Sequence, residues 1–359
     1  MQLVKVLRNT NFTTITGKLD FTDIAEINVE VKQLQSRILE KGDIIVEKSG
    51  GSPTQPVGRV SYFDKNEDVV YSYSNFTSRL RANKDIVNPL YLWAYLHDFY
   101  RKGGTVSSQS GIRLLNLNNA DYLQNKIPLP PKHIQEQIVK EILEIETKEM
   151  DSKVKSESLE QDIWTLLLPN FQSGQREKLG IIAKLERGRF SHRPRNAPHL
   201  YRDGTYPFIQ TGDVAGAVNA KVKYSQTLNE EGLKVSRLFD PNTILITIAA
   251  NIGNTAILDY PACFPDSVVS IRPNENVNIY YLEYFLRTQK EYLNEIASQS
   301  AQKNLNLERL SPLLIPIIPL AQQNEIISQI KIIETKKQEI EQFLSTVQEQ
   351  KEEVLNKYL

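Results

Sequence analysis

Near the C-terminus, positions recur in alternating steps of four and three: Ile326, Ile330, Ile333, Lys337, Ile340, Leu344, Val347, Lys351, Val354 and Tyr358. That is a heptad seam, the pattern of a helix that buries one narrow stripe against another helix. Lys337 and Lys351 break the apolar run and are expected to reach out of the seam. An earlier stretch, Lys132 to Leu168, starts the same pattern at Ile134, Ile138, Ile142 and Ile145. It loses the pattern over Asp151 to Ser158 and recovers it at Leu159, Ile163 and Leu166. At 1.5 Å of rise per residue, both helices would be about 55–60 Å long. Each needs a partner for its stripe and the other is the obvious one, leaving a spare face for another protein.

Before each long helix lies a region with shorter signals in one order. Extended runs come first, Gly42–Val46 in one half and Thr243–Ile248 in the other. A glycine-containing turn and a second strand follow, around Gly58-Arg59-Val60 and Gly253-Asn254-Thr255. β-Branched residues bounded by Gly, Pro and Asn favour strands. Apolar residues at helical spacing then predict helices over Asn88–Arg101 and Asn278–Ile296. The proline-rich segments Ile127–Pro131 and Ile315–Pro319 end each region, since proline bars both helix and central strand.

These parallels are an internal repeat. Val87–Leu117 and Val277–Leu307, 190 residues apart, are identical at 11 of 31 positions, among them Tyr91/Tyr281, Ser108-Gln109-Ser110/Ser298-Gln299-Ser300 and Leu115-Asn116-Leu117/Leu305-Asn306-Leu307. At a separation of 188 the match resumes with Ile127-Pro128/Ile315-Pro316, Gln135/Gln323 and Glu146-Thr147-Lys148/Glu334-Thr335-Lys336. A period this long is a duplicated domain plus helix rather than a solenoid repeat. The division expected is a first domain at 1–130, a helix at 131–170, a second domain at 171–318 and a helix at 319–359. The fold class is α+β, two similar mixed α/β domains with two long helices.

Composition narrows the function. The 359 residues hold 43 basic and 43 acidic side chains, so no uniformly basic coat and no long acidic tail exists. The globular parts carry a small positive excess and the helices a negative one. One cysteine, Cys263, excludes an internal disulfide framework and a multi-cysteine zinc site and suits a reducing compartment. No apolar run reaches the roughly 18 residues of a membrane span, and the N-terminus lacks a signal-peptide core, so a soluble cytoplasmic chain is expected.

One basic cluster stands out. Lys184, Arg187, Arg189, Arg193, Arg195 and Arg202 face a single acid, Glu186, with His192, His199, Gly188, Pro194 and Pro198 among them. The Pro/Gly content argues for a loop, and arginine forks suit phosphates and guanine edges. A merely solvated basic loop is the alternative. In the first half the candidates are Lys48 and Ser49 in the glycine-rich Lys48–Ser52 turn, then Arg59, Arg79 and Arg81. A glycine turn can bring backbone N–H groups to a phosphate; a plain hairpin turn is the alternative.

Catalytic constellations are missing. There is no G-x-x-x-x-G-K-[ST] loop. Asn88-Pro89-Leu90-Tyr91 resembles an adenine-methyltransferase motif only superficially. Pro265-Asp266 has no Glu-x-Lys in the following 20 residues, and His97, His133, His192 and His199 show no metal-ligand spacing.

The chain resembles the specificity subunit of type I restriction-modification systems. The motifs that carry the resemblance are Pro207-Phe208-Ile209-Gln210-Thr211-Gly212-Asp213-Val214, Asn251-Ile252-Gly253-Asn254-Thr255-Ala256, Gln302-Lys303-Asn304-Leu305-Asn306 leading to Ile315–Pro319, and Ala321-Gln322-Gln323. Ile127-Pro128-Leu129-Pro130-Pro131 with Glu136-Gln137 matches in the first half. The similarity covers nearly the whole chain. It implies two target-recognition domains, each reading half of a split sequence in double-stranded DNA, and two helices paired antiparallel as a pseudo-two-fold spacer. It also implies docking of two methyltransferase subunits and two motor-nuclease subunits. The chain itself would hold no catalytic centre and no cofactor; S-adenosylmethionine, ATP and Mg would belong to the partners. One departure stands: the second half has a segment, about Arg176 to Tyr206, whose counterpart is not evident before Asn11-Phe12-Thr13-Thr14-Ile15 in the first half. Two other readings compete. One is a scaffold or phage-borne decoy that occupies methyltransferase subunits without reading DNA. The other is a self-contained methyltransferase or nuclease.

Overall fold

A computed structural model describes residues 1–13, 16–52, 54–111, 115–173, 175–218, 220–298 and 304–359. The Thr14-Ile15, Gln299-Ser300 and Gln302-Lys303 parts of the sequence motifs lie outside the described residues. The chain divides into two units, Met1–Lys153 with Gln342–Leu359, and Val154–Glu341.

In the first unit, Gln2–Leu7 pairs antiparallel with Ala25–Val29 and parallel with Tyr71–Tyr73. A second sheet places Ile44–Glu47 between Val60–Tyr62 and Thr77–Leu80, all antiparallel. Ile44, Ile45 and Val46 are buried, as a central strand covered on both faces requires. The helix Pro89–Arg101 packs Tyr91, Leu92 and Leu96 into that core. Its Asn88 N-cap accepts from the Leu90 N–H, and Pro89 supplies a ready-made first turn.

The second unit repeats this plan. Tyr206–Phe208 pairs antiparallel with Gln226–Leu228 and parallel with Ala262–Cys263. Thr243–Thr247 lies between Thr255–Leu258 and Val268–Pro273. Ala183–Arg187 adds a fourth strand beside Val268–Pro273; the described residues of the first unit show no such strand beside Thr77–Leu80. The stretch read as one helix from Asn278 to Ile296 is two, Ile279–Thr288 and Lys290–Ser298, broken at Gln289.

The matching strand pairings extend the repeat beyond the part legible from Val87 onward. Ser36-Arg37 and Ile44 align with Ser236-Arg237 and Ile244, 200 residues apart. Gly42 and Asn242 stand at the same corner and both have positive φ, 100° and 57°, a conformation that favours just these residue types. Leu7 aligns with Ile209, both fully buried.

The duplicated glutamine has one role in both units. Gln135 Oε1 accepts from the Asn88 N–H at 2.7 Å, while Nε2 donates to the carbonyls of Ile86 and Pro130. Gln323 Oε1 accepts from the Asn278 N–H at 2.8 Å, and Nε2 donates to Asn276 and Ile318. Each amide is buried and fully used, so deleting it strands main-chain groups at about 1–3 kcal/mol.

The long helices run Lys132–Gln172 and Leu320–Tyr358, and the first continues through Pro169, past the end expected at Leu168. Within the first unit Glu141 meets Lys357 and Tyr358, and Glu146 meets Lys351. Within the second, Glu160 meets Lys337 and Asn170 meets Gln322. As one number rises the other falls, so the helices pair antiparallel in each unit. Ile138, Ile142 and Val354 are buried in the first unit's part of this packing, and Ile163, Ile326 and Ile330 in the second's; Val347 is buried too. Leu159 is buried as well, while Ile145, Ile333, Ile340 and Leu344 are half-buried.

Two expectations about this seam change. The spacing is never lost over Asp151–Ser158, because Glu149, Ser152 and Ser156 occupy the seam positions in phase and are buried or half-buried. Nor do the lysines leave it. Lys351 stays 11% exposed between Glu146 at 2.9 Å and Glu149 at 3.7 Å, and Lys337 pairs with Glu160. Ion pairing and not snorkelling satisfies them. For Glu149, burial works against its charge, yet Lys153 and Lys351 hold its carboxyl below the ordinary value.

Candidate nucleic-acid interface

The basic cluster of the second unit is built on an edge strand and a turn. Lys184 and Arg187 lie on the strand Ala183–Arg187 and not in the expected loop. Gly188 then turns the chain against Phe264 and Pro265. A Cβ there would stand 2.2 Å from the Pro265 carbonyl oxygen, so no larger residue fits. The Arg189 N–H donates to the Phe264 carbonyl, and Ser236 Oγ donates to the Arg189 carbonyl. Phe190 plugs the base of the turn beside Phe208, with ring centroids 5.0 Å apart.

Above this base, three arginines converge on Asp266. Arg187 Nε donates to its carbonyl oxygen at 2.5 Å, Arg195 pairs with Oδ1, and Arg193 Nη2 lies 3.8 Å from Oδ2. Arg193 also donates to the carbonyls of Phe190 and His192. Asp266, the residue that suggested a nuclease motif, is thus the hub of an arginine cluster; no group of metal-ligating side chains occurs among the described residues. Arg193 and Arg195 remain 55% and 44% exposed, and an ion pair at that exposure contributes little net energy. A phosphate can therefore replace Asp266 at small cost. Arg189 and Arg202 project into solvent, with no side-chain partner among the described residues. His192 and His199 meet edge to face at 5.3 Å. Lys184 and Arg237 share Glu186 at 3.1 and 2.7 Å, and the hydrogen bond from Arg237, then that from Lys184, lowers its pKa.

The first unit's candidates are placed differently. Arg59 is 13% exposed and forms a two-pronged bond to Glu47, itself 2% exposed, at 2.7 and 2.9 Å. It reaches the Asn9 carbonyl as well and lies over the Phe12 ring. Burial opposes its charge, and Glu47 more than offsets that, raising the guanidinium pKa. Arg81 grips the buried Asp43 with two bonds of 2.7 Å and Glu40 with one of 2.6 Å; Arg79 donates to the Ile38 carbonyl. All three guanidiniums hold the chain together within the unit. Lys48 is exposed, whereas Ser49 is buried in a short strand paired with Asn116.

Side chains not singled out from the sequence border the second unit's cluster. A cavity of about 350 Å³ lies between the basic turn and the sheet, walled by Arg195, Tyr201, Phe208, Gln210 and Gln226. Gln210 sits inside the Pro207–Val214 motif, and the signal that marks it is a capping turn: Asp213 Oδ2 accepts from the Gln210 N–H at 2.7 Å. In the first unit Arg8 occupies the same position after Leu7, with Asn11 Oδ1 accepting from its N–H at 2.9 Å.

Cys263 is buried, and burial pushes its thiol pKa up, away from reactivity. Among the described residues no helix is long and apolar enough to cross a membrane.

Comparison with known proteins agrees along the chain. The model of the type I restriction modification DNA specificity domain matches residues 6–158 and again 177–347. A protein of Methanocaldococcus jannaschii, named as the specificity subunit of a type I restriction enzyme, MjaX, is 22% identical over 375 residues, spanning 97% of this chain and 85% of its own length. Among solved structures, a chain from work on complex assembly and conformational transition of the type I R-M system superposes with a TM-score of 0.64 at 16% identity, covering 99% of this chain and 91% of that one. The HsdS subunit from Thermoanaerobacter tengcongensis gives 0.51 at 17% identity, covering 99% and 90%.

Proposed function

The chain belongs to the type I restriction-modification DNA specificity family, and from that premise we propose how this specificity subunit divides its work. As a member it is a non-catalytic part of a DNA-binding type I complex, and specificity subunits carry no cofactor of their own. Residues 1–130 and 171–318 are the two target-recognition domains. Residues 131–170 and 319–359 are the spacer that sets the gap between two half-sites in double-stranded DNA. Phosphate contacts position such a protein and base contacts specify its target. The positioning contacts we assign are Arg187, Arg189, Arg193, Arg195 and Arg202 with Lys184 and His192 in the second domain, and Lys48 in the first.

The observation that supports a two-part reading is the duplicated mount: one fold, held by one buried glutamine, appears once in each unit. Two copies of one reading unit suit a split target with a gap no residue reads, the logic by which paired reading units fix half-site spacing. Leu143 and Thr147, beside the half-buried Val139, line a shallow groove on the first long helix, and Leu143 is exposed there. That face suits the helices of a methyltransferase subunit. Two such subunits, with S-adenosylmethionine, and two motor-nuclease subunits, with ATP and Mg, complete the assembly we propose, in the cytoplasm.

Co-expression with its methyltransferase subunit, followed by mapping of modified bases on plasmid DNA, tests this. A two-part motif with a fixed gap is expected, and insertion of residues within Asp151–Ser158 should lengthen the gap. A single uninterrupted motif, or modification without sequence preference, refutes it.

A further inference from the structure

In both domains the chain leaves a strand through a buried residue, Leu7 at the strand's end or Ile209 just past it, and enters a turn whose first residue is exposed while its N–H is tied down three residues on. That first residue is Arg8 in one domain and Gln210 in the other. Asp213 is itself fixed, since Oδ1 accepts from Ser225 Oγ at 3.0 Å. The side chain therefore projects from a rigid main-chain corner rather than from a swaying loop, as a reading group requires.

Gln210 does not act alone. Its Nε2 donates to Oε1 of Gln226, on the neighbouring strand, at 2.7 Å. This bond leaves Oε1 of Gln210 as an acceptor and Nε2 of Gln226 as a donor, side by side at the wall of the 350 Å³ cavity. Turning both amides over leaves the same pair, one donor and one acceptor, so the conclusion does not depend on which atom is nitrogen. In the major groove adenine offers a donor at N6 beside an acceptor at N7, the complement of that pair; guanine offers two acceptors, the complement of an arginine fork. Arg195, tethered to Asp266, stands at the same cavity and suits the adjoining phosphate.

We propose that this turn position is the base-reading position of both domains: the linked amides of Gln210 and Gln226 select an adenine in one half-site, and Arg8 selects a guanine in the other. The proposal rests on the DNA-specificity reading above. It goes beyond it by naming reader side chains and bases.

The test uses the chain in complex with its methyltransferase subunits and the duplex found by mapping. Each adenine of the half-site read by the second domain is replaced in turn by 7-deazaadenine, which lacks the N7 acceptor. The native complex should lose about tenfold in affinity at one position. Gln210→Ala and Gln226→Leu should bind the normal duplex more weakly and show no further loss with the analogue there. Both side chains are exposed, so melting should stay unchanged, and either variant alone suffices. Arg8→Ala should do the same for 7-deazaguanine in the other half-site. Insensitivity of the native complex at every adenine, or sensitivity retained in both glutamine variants, overturns the proposal. If the native complex prefers no sequence at all, it is the DNA-specificity reading that falls.

Discussion

The two recognition domains share a fold and spend their arginines in opposite ways. In the second, Arg193 and Arg195 meet one half-exposed carboxylate, Asp266, while Arg187 bonds to its main-chain carbonyl, and all three keep much of their surface in water. In the first, Arg59 and Arg81 sit on the nearly inaccessible carboxylates Glu47 and Asp43. An exposed pair gives way to a stronger anion, whereas a buried pair is a structural bolt whose breakage leaves a charge in a dry site. Equal charge counts thus say little about capacity to bind a polyanion; the burial of the counter-charge decides it.

The largest effect should come from breaking a bolt. Glu47→Ala removes the partner of a guanidinium 13% exposed and should destabilise the first domain by about 3–5 kcal/mol, read by chemical denaturation. A loss under about 1 kcal/mol would erase the contrast with Asp266. Next, Gln135→Ala and Gln323→Ala should each destabilise by about 1–3 kcal/mol. Unequal losses would show that the mounts are alike in geometry but not in energy. Arg193→Ala should leave melting nearly unchanged and weaken DNA binding, by about 1–3 kcal/mol if it reaches a base edge; Arg189→Ala tests the same turn. Binding unchanged in both would remove that turn from the interface.

The smallest effect is one of acidity. Hydrogen bonds from Gln137, then Tyr358 and Lys357, hold Glu141 down to about 2. Because the folded value lies below the unfolded one, its stabilisation is complete above the ordinary carboxylate range and drains away as pH falls towards 2. Denaturation midpoints should therefore drop on acidification through that window, and Glu141→Gln should flatten the drop.

Much of this was legible in the residues. The heptads, the repeat from Val87 and the motifs around Gly212 and Gly253 carry identities or periodicities that survive in a single chain. The opening sheet was not, because its likeness lies in which strands exchange hydrogen bonds, and only Ser36-Arg37 and Ser236-Arg237 mark it in letters. Arg59 and Arg81 looked like DNA ligands because their counter-charges, Glu47 and Asp43, stand 12 and 38 residues away. Gln210, uncharged and quoted only as part of a family motif, and Arg8, an isolated charge, carried no signal of binding until a shared corner of backbone brought them into correspondence. The seam lysines were misjudged for the same reason, since only the partner helix shows that Glu146 and Glu160 await them.

The buried glutamines grasp nothing of the head they carry except main-chain atoms: one amide hydrogen and two carbonyl oxygens. Such a fitting is blind to side-chain identity. A lineage can rewrite the lettering on either head without recutting the socket, and any foreign head whose chain bends the same way at that corner would seat on the same stem.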